Sequence, residues 1–433
     1  MATIFPYGMG MRSTGSFDTP HIRPKNYRET ILRLWPNGKA PLTAIMAMAK
    51  SRRVDDPQYF WFEKELPRQA GAITAGGDAD MDAKGTTVSL TVAANTAKEF
   101  RAGHVVRLMK KGDYTTGFNA RVVGVVINGA ASSITVTTME ADPSTSDTKD
   151  WIAVTGNSNA EGALVPDSLS YDPFRREGLT QIFRTPLDIT RTARLTRLRT
   201  GDAYAGLVRD SLELHSIEME KAFLYGVMDE WIGTNGHPQR TTEGLIATIK
   251  NYSGDNGTST NNQVWDFTKE SDTFFSGKSW LDAGKFWLDL QLEKIFRYGR
   301  TKKMGLATND AILALSQLAE TYGYYNLTVG QTKFGISIME WITPFGEIYL
   351  KSHPLLNHSE MEQNMIIFFE PENIVESYVT QTMKKKDDGE KKGGSTAMDG
   401  IKEEFLTETG FSYQQARTGA ILYGVGKDHP GSE

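Results

Sequence analysis

The chain of 433 residues contains no cysteine. That absence excludes disulfides, cysteine nucleophiles and thiolate metal sites, and it fits a reducing compartment. Histidine is scarce as well: His21, His104, His215, His237, His353, His358 and His429 are the whole set. None is spaced as a metal pair of the H-E-x-x-H kind, and no carboxylate joins a histidine at ligand-like spacing. No segment approaches the ~20 apolar residues of a membrane span. The opening MATIFPYGMGMRSTG has no charged segment leading into an apolar run, so no secretory signal is visible. A net charge of −5 gives the molecule no strong overall attraction to nucleic acid. From these absences we expect a soluble, intracellular protein with no metal, no cofactor and no membrane partner.

What is present is ordinary globular material, 23% charged and 39% apolar. The length predicts two or three structural units. Charge is uneven, however. Up to Arg53 nine bases stand against two acids, a local balance of +7. The first ~30 residues are rich in Gly, Pro, Ser and Thr without hydrophobic periodicity, the pattern of an extended arm. Its bases, with Arg12, Arg23, Lys25, Arg28, Arg33, Arg52 and Arg53 as candidates, suit either the acidic surface of a neighbouring subunit or nucleic-acid phosphates.

Further along, PLTAIMAMAK (41–50) predicts a short apolar helix and QYFWFEKEL (58–66) a strand. GAITAGGDADMDAKGT (71–86) reads as a flexible connector. From Thr87 to about Val154 the segments TVSLTV, HVVRLM, ARVVGVVI, SITVTTM and WIAVT alternate and are separated by turn residues. Five such strands predict a small closed barrel or sandwich. The interleaved aromatic and basic residues needed for base stacking are missing, so a structural insert is the better reading. A long helix is predicted over 202–231, N-capped by Asp202. Its apolar stripe is Tyr204, Val208, Leu212, Met219, Phe223 and Val227, with His215 on the same stripe. Helices at 279–299 and 309–323 follow, then a hairpin across TPFG (343–346), a strand at NMIIFFEP and a strand pair within 402–425. KKKDDGEKKGGSTAMDG (384–400) reads as a flexible loop. Its lysines are offset by Asp387, Asp388 and Glu390, which weakens a nucleic-acid role for it.

Enzyme signatures fail on inspection. GKS at 277–279 resembles the end of a phosphate-binding loop, but the glycine required at position 272 is Asp. GNSNA at 156–160 lacks the second glycine of a nucleophile elbow. Glu218 and Glu220 stand two apart on a helix, so their side chains diverge by about 200° and share neither a proton nor a metal. No catalytic residue is assigned. The loop GTNGHPQRTTEGL (233–245), which contains His237, reads as the turn that brings the chain back.

The order of elements is then informative: basic arm, strand-rich excursion, one long helix, further helices and hairpins. It resembles the major capsid proteins of tailed bacteriophages, whose fold is shared by encapsulin shells and the herpesvirus capsid floor. The stretches that carry the resemblance are LWPNGKAPLTAIMAMAKSRRVDDPQYFWFEKELP (34–67), SIEMEKAFLYG (216–226) with QRTTEGLIATI (239–249), and ITPFGEIYLKSHPLL (342–356). They look most like the subgroup with a β-domain inserted in the extended loop.

The resemblance implies an α+β capsid fold. Residues 1–57 would be the N-terminal arm and 58–185 the extended loop, with an inserted barrel at about 87–155. Residues 186–300 would be the peripheral domain with spine helix 202–231, and 301–433 the axial domain, whose last strands could return to the peripheral one. It further implies hexamers and pentamers of an icosahedral shell, enclosing double-stranded DNA through non-specific contacts. Scaffold, portal and decoration proteins would be partners, and the shell would assemble in the host bacterial cytoplasm. No helical scaffolding segment precedes the arm, which points to a separate scaffold or a processed chain. Inter-subunit anchor candidates are Trp35, Phe60, Trp61, Phe62, Glu218, Glu220 and Arg240; local core packing is the competing reading of the aromatics. The rival functions are an encapsulin-like compartment, a tail or baseplate protein, and a hydrolase or nucleotide-binding enzyme.

Overall fold

The computed structural model describes residues 49–431 apart from 145–147, 197, 199–200, 255–258, 260, 323–326, 334–335, 360–362 and 387–399. Nearly all of the basic arm, the helix expected at 41–50 and most of the charged loop therefore lie outside the described residues. Two compact units are present, Phe62–Arg176 and the chain on either side of it.

The first unit is a closed six-stranded barrel. Its strands run in the order Ala70–Ala75, Thr87–Val92, Ser133–Thr138, Asp113–Val126, His104–Lys110 and Trp151–Asn157, and the last pairs with the first. Closure leaves no unpaired edge among them. Val106, Leu108, Phe118, Ala120, Val122, Ile134, Val136 and Ile152 fill the interior. Ser133, Thr135 and Thr137 alternate outward, as the period of two requires. Five strands match the expectation, and the sixth corrects it. Ala70–Ala75 reads as part of a connector in the sequence because Ile73 is its only large apolar side chain. Its place is set by pairing with strands on both sides rather than by its own hydrophobicity.

Among the described residues, the second unit contains two sheets of four or more strands. One has four strands in the order Lys50–Arg53, Ile374–Lys386, Gly400–Tyr413 and Gln181–Thr190. The other has seven, in the order Val264–Asp266, Ala420–Tyr423, Ile366–Phe369, Lys302–Ala307, Gly346–Ser352, Ile336–Thr343 and Leu327–Lys333. Ile366–Phe369 is buried throughout. Ile366 and Phe368 join a core with helices Trp280–Ile295 and Asn309–Tyr322, through Trp287, Leu292 and Leu315. Ile367 and Phe369 join a second core with Met219, Phe223, Ile249 and Phe411. Covering on both faces explains why the strand reads as an unbroken apolar run.

Three expectations are revised here. The long helix is Ala203–Tyr225, capped as predicted by Asp202, which accepts from the Tyr204 amide. It stops at Gly226, and residues 229–232 form a strand instead of a further helical turn. Its buried face is Ser211, His215, Met219, Glu220, Phe223 and Leu224, whereas Leu212 and Val227 are exposed. The last two strands, finally, do not pair. Gly400–Tyr413 belongs to the four-stranded sheet and Ala420–Tyr423 to the seven-stranded one, with the tight turn Ala416–Thr418 joining them in sequence.

Candidate assembly surfaces

The sequence candidates fall into three groups. Arg12, Arg23, Lys25, Arg28, Arg33 and Trp35 lie outside the described residues. Arg52 and Arg53 are exposed, on an edge strand that pairs in parallel with Ile374–Lys386 from Lys50↔Val375 to Arg53↔Tyr378. That strand is tied down by Lys50 Nζ donating to Glu372 O at 2.9 Å and Ser51 Oγ to Glu376 Oε2 at 2.9 Å.

The aromatic strand Gln58–Glu63 alternates cleanly. Tyr59 and Trp61 stack at 6.2 Å on the covered side, and the Tyr59 hydroxyl donates to Phe411 O at 3.0 Å. Burial pushes the Tyr59 phenol upward, so it stays protonated. Phe60 and Phe62 face outward, Phe62 being 69% exposed. Trp61 is thus half-buried beside Tyr59, and Phe60 and Phe62 are the outward pair.

The third group surrounds the end of the long helix. Glu220 is completely buried, and its Oε1 lies 3.0 Å from His353 Nε2. This corrects its candidacy as an inter-subunit anchor, because the carboxylate is enclosed by its own chain. Glu218 points the other way, is exposed, and accepts from Thr185 Oγ1 at 3.1 Å. Arg240 pairs with Glu230 at 2.8 Å across the hairpin Asp229–Ile232/Pro238–Thr241. The same hairpin exposes Trp231 and Ile232, Ile232 by 76%, with Val227 beside them in sequence. Sequence reasoning misses the hairpin that presents Trp231 and Ile232 because it runs the helix as far as Trp231. The signal available is Gly226 followed by the extended-type run DEWI.

Other outward apolar side chains are Leu164 and Val165, each 93% exposed between the barrel and the strand Phe174–Leu179, and Phe286 and Leu290 on one helix face. Against these stand closed polar sites. His215 sits between Thr185 Oγ1 at 2.9 Å from Nδ1 and Thr407 Oγ1 at 2.7 Å from Nε2, with Phe183 and Phe405 alongside. Burial lowers its pKa from 6.5, and the Glu218 carboxylate opposes this in part. The unfolded imidazole therefore takes up a proton as pH falls through 6.5 while the folded one resists it. Stability will consequently be lost in that acid window, and His215→Gln will flatten the pH dependence seen by chemical denaturation. An unchanged slope would show that His215 is not the group responsible.

The near-miss motifs also have structural roles. Lys278 Nζ lies 3.7 Å above the Phe274 ring, and Ser279 caps the helix Trp280–Ile295. Ser158 is exposed, and its amide donates to Gly103 O at 2.8 Å. Among the described residues no group of three or more His, Cys, Asp or Glu is arranged to hold a metal, and no helix is long and apolar enough to cross a membrane.

The major capsid protein of Pseudomonas phage PaMx41 is 23% identical over 387 residues, which cover 87% of this chain and 84% of that protein. The capsid of an empty GTA particle shares the fold, with a TM-score of 0.51 at 9% identity over 96% of this chain and 99% of its own. An encapsulin complex from Synechococcus elongatus PCC 7942 covers 59% of this chain and 78% of its own, with 14% identity and a TM-score of 0.39. The family described as SU10 major capsid protein matches residues 11–426, almost the whole sequence, and this protein belongs to that family of tailed-phage capsid shell proteins.

Proposed function

We propose that copies of this protein assemble as hexamers and pentamers of an icosahedral shell around double-stranded DNA, without catalysis of their own. The observation that carries this reading is the scatter of exposed apolar side chains over separate elements: Phe62, Trp231, Ile232, Leu164, Val165, Phe286 and Leu290. Many small contacts, each weak, become strong when every copy makes several at once. Its charge adds an electrostatic part, since the +7 carried up to Arg53 leaves −12 on the rest of a molecule whose total is −5. Residues 1–57 act as the arm, 58–185 as the extended loop with its barrel, 186–300 as the peripheral domain and 301–433 as the axial domain. Ala420–Tyr423 lies between Val264–Asp266 and Ile366–Phe369, which supports discontinuous domains. A separate scaffold, a portal and a decoration protein complete the partner set, and assembly takes place in the host cytoplasm before the shell becomes part of the virion.

Electron microscopy of the expressed protein, with and without co-expressed scaffold, tests this directly. Closed particles containing DNA are expected from infected cells; particles filled with a protein cargo would favour the encapsulin reading, and monomers under every condition would overturn both. Trp231→Ala with Ile232→Ser should change folding stability by no more than about 0.5 kcal/mol each. Particle yield should nevertheless fall more than about tenfold, because one lost contact of about 1.4 kcal/mol recurs in every subunit. Full yield from the double variant would remove this hairpin from the interface.

A further inference from the structure

The sequence contains four Asn-Gly pairs, at 37–38, 128–129, 235–236 and 256–257. The first and last lie outside the described residues. The other two both sit in exposed hairpin loops, yet their hydrogen bonding differs in a way that bears on covalent chemistry.

In an Asn-Gly pair the glycine amide nitrogen can attack the carboxamide carbon of the asparagine. A new N–C bond closes a five-membered imide, the bond from that carbon to the carboxamide nitrogen breaks, and ammonia leaves with the proton of the glycine amide. Water then adds to either imide carbonyl and opens the ring, leaving aspartate or isoaspartate. The reaction needs an unhindered nitrogen and a carboxamide free to turn towards it. A hydrogen bond on either group holds it back, since the bond must be broken before attack.

Asn128 and Gly129 lie in the barrel hairpin between strands Asp113–Val126 and Ser133–Thr138. The backbone around them is well anchored. The Asn128 amide donates to Ser132 Oγ at 2.9 Å, Asn128 O accepts from the Ala131 amide at 2.9 Å, and Gly129 O accepts from Ser132 Oγ at 2.8 Å. The two reacting groups are not anchored. Among the described residues neither the Asn128 carboxamide nor the Gly129 amide has a hydrogen-bond partner. Gly129 has φ +51°, and nothing lies within 4 Å of where a Cβ would sit, so its surroundings are open. At the second pair both groups are engaged. Asn235 Oδ1 accepts from the His237 amide at 3.1 Å, and the Gly236 amide donates to Gly233 O at 2.9 Å.

We propose that Asn128 is a site of spontaneous deamidation in the folded protein, converting to aspartate and isoaspartate while Asn235 is protected by its turn. The product places a new negative charge at the barrel tip, next in sequence to Val126 and Ile127, both more than half exposed. Isoaspartate also inserts a methylene into the backbone of the turn. The barrel tip would thus carry a chemical record of the age of the protein, and any partner that contacts Val126 and Ile127 would meet an altered surface.

The test is peptide mapping by mass spectrometry of the intact folded protein aged in mildly alkaline buffer, with isoaspartyl methyltransferase labelling. The Asn128 peptide should convert several-fold faster than the Asn235 peptide, and Asn128→Gln should abolish the label from that peptide. Repeating the ageing in denaturant removes both turns, and the two rates should converge. Equal rates in the folded protein, or faster conversion at Asn235, would overturn the proposal. A rate difference that persists unchanged in denaturant would also overturn it, because local sequence rather than the hairpin would then be the cause.

Discussion

Replacing Glu370 by Gln is expected to lower folding stability by about 3–5 kcal/mol, the loss that follows when one partner of a buried ion pair is removed. Lys303 has a fully buried side chain and uses all three ammonium protons, donating to Tyr298 O at 3.0 Å, Glu370 Oε1 at 2.9 Å and Thr418 O at 2.8 Å. Burial lowers the Lys303 pKa, and the Glu370 carboxylate works against that shift. Glu370 also accepts from the Arg300 amide at 2.7 Å and from Asn373 Nδ2 at 3.3 Å. Its own amide donates to the Tyr413 hydroxyl at 3.2 Å. The network therefore joins the strand Lys302–Ala307 to the turn at Ala416–Thr418, where the polypeptide passes from one sheet to the other.

With Gln at position 370 the ammonium keeps its carbonyls but loses its counter-charge in a site closed to water. The double change Lys303→Met with Glu370→Leu should cost much less than the sum of the single changes, since no charge is then left buried. Denaturant midpoints of the four proteins in this cycle supply the coupling. A single-variant loss below about 1 kcal/mol would mean that the charge is not needed where it stands.

Gly244→Ala is expected to cost about 3 kcal/mol or more, at or beyond the upper end of ordinary overpacking. A Cβ at Gly244 would stand 2.7 Å from Gly226 N and 2.8 Å from the Leu224 carbonyl, and one at Gly226 would stand 2.4 Å from Ala222 O. These are backbone atoms, so no side chain can rotate away to make room. The two glycines are where the backbone returns to meet itself after the long helix, with the Gly244 amide donating to Gly226 O at 2.9 Å. The hairpin with Trp231 and Ile232 lies between them in sequence, so this crossing also sets where those side chains are presented. A soluble Gly244→Ala protein should therefore assemble poorly even when circular dichroism finds it folded. Wild-type stability and wild-type particles from this variant would show that the backbone yields more easily than the distances suggest.

How much of the fold is legible in the sequence depends on the kind of signal. Strands of the barrel alternate strongly, as in SITVTT, and their sequence identifies them. Ala70–Ala75 escapes, because Gly and Ala carry almost no hydrophobic contrast. The helices at Trp280–Ile295 and Asn309–Tyr322 are visible from their stripes, and Ser279 caps the first of them. The pairing of the final strands is not readable, since alternation says that a segment is a strand and never which strand it meets. The same limit applies to the site residues. Helical geometry alone separates Glu218 from Glu220, but which of the two faces is enclosed depends on His353, 133 residues away.

Sequence alone determined the absence of cysteine chemistry, the basic character of the arm, the strand-rich insert, the long helix and, through their order, the kind of protein this is. The first four follow from composition or from short-range periodicity, which a linear reading captures; the last follows from the resemblance to tailed-phage major capsid proteins. Tertiary structure alone decided that Glu220 faces inward and Ile232 outward, that Lys303 meets Glu370, and that the last two strands belong to different sheets. Each of those outcomes depends on residues far apart in the sequence competing for the same space or the same charge, and no local pattern encodes the result of that competition.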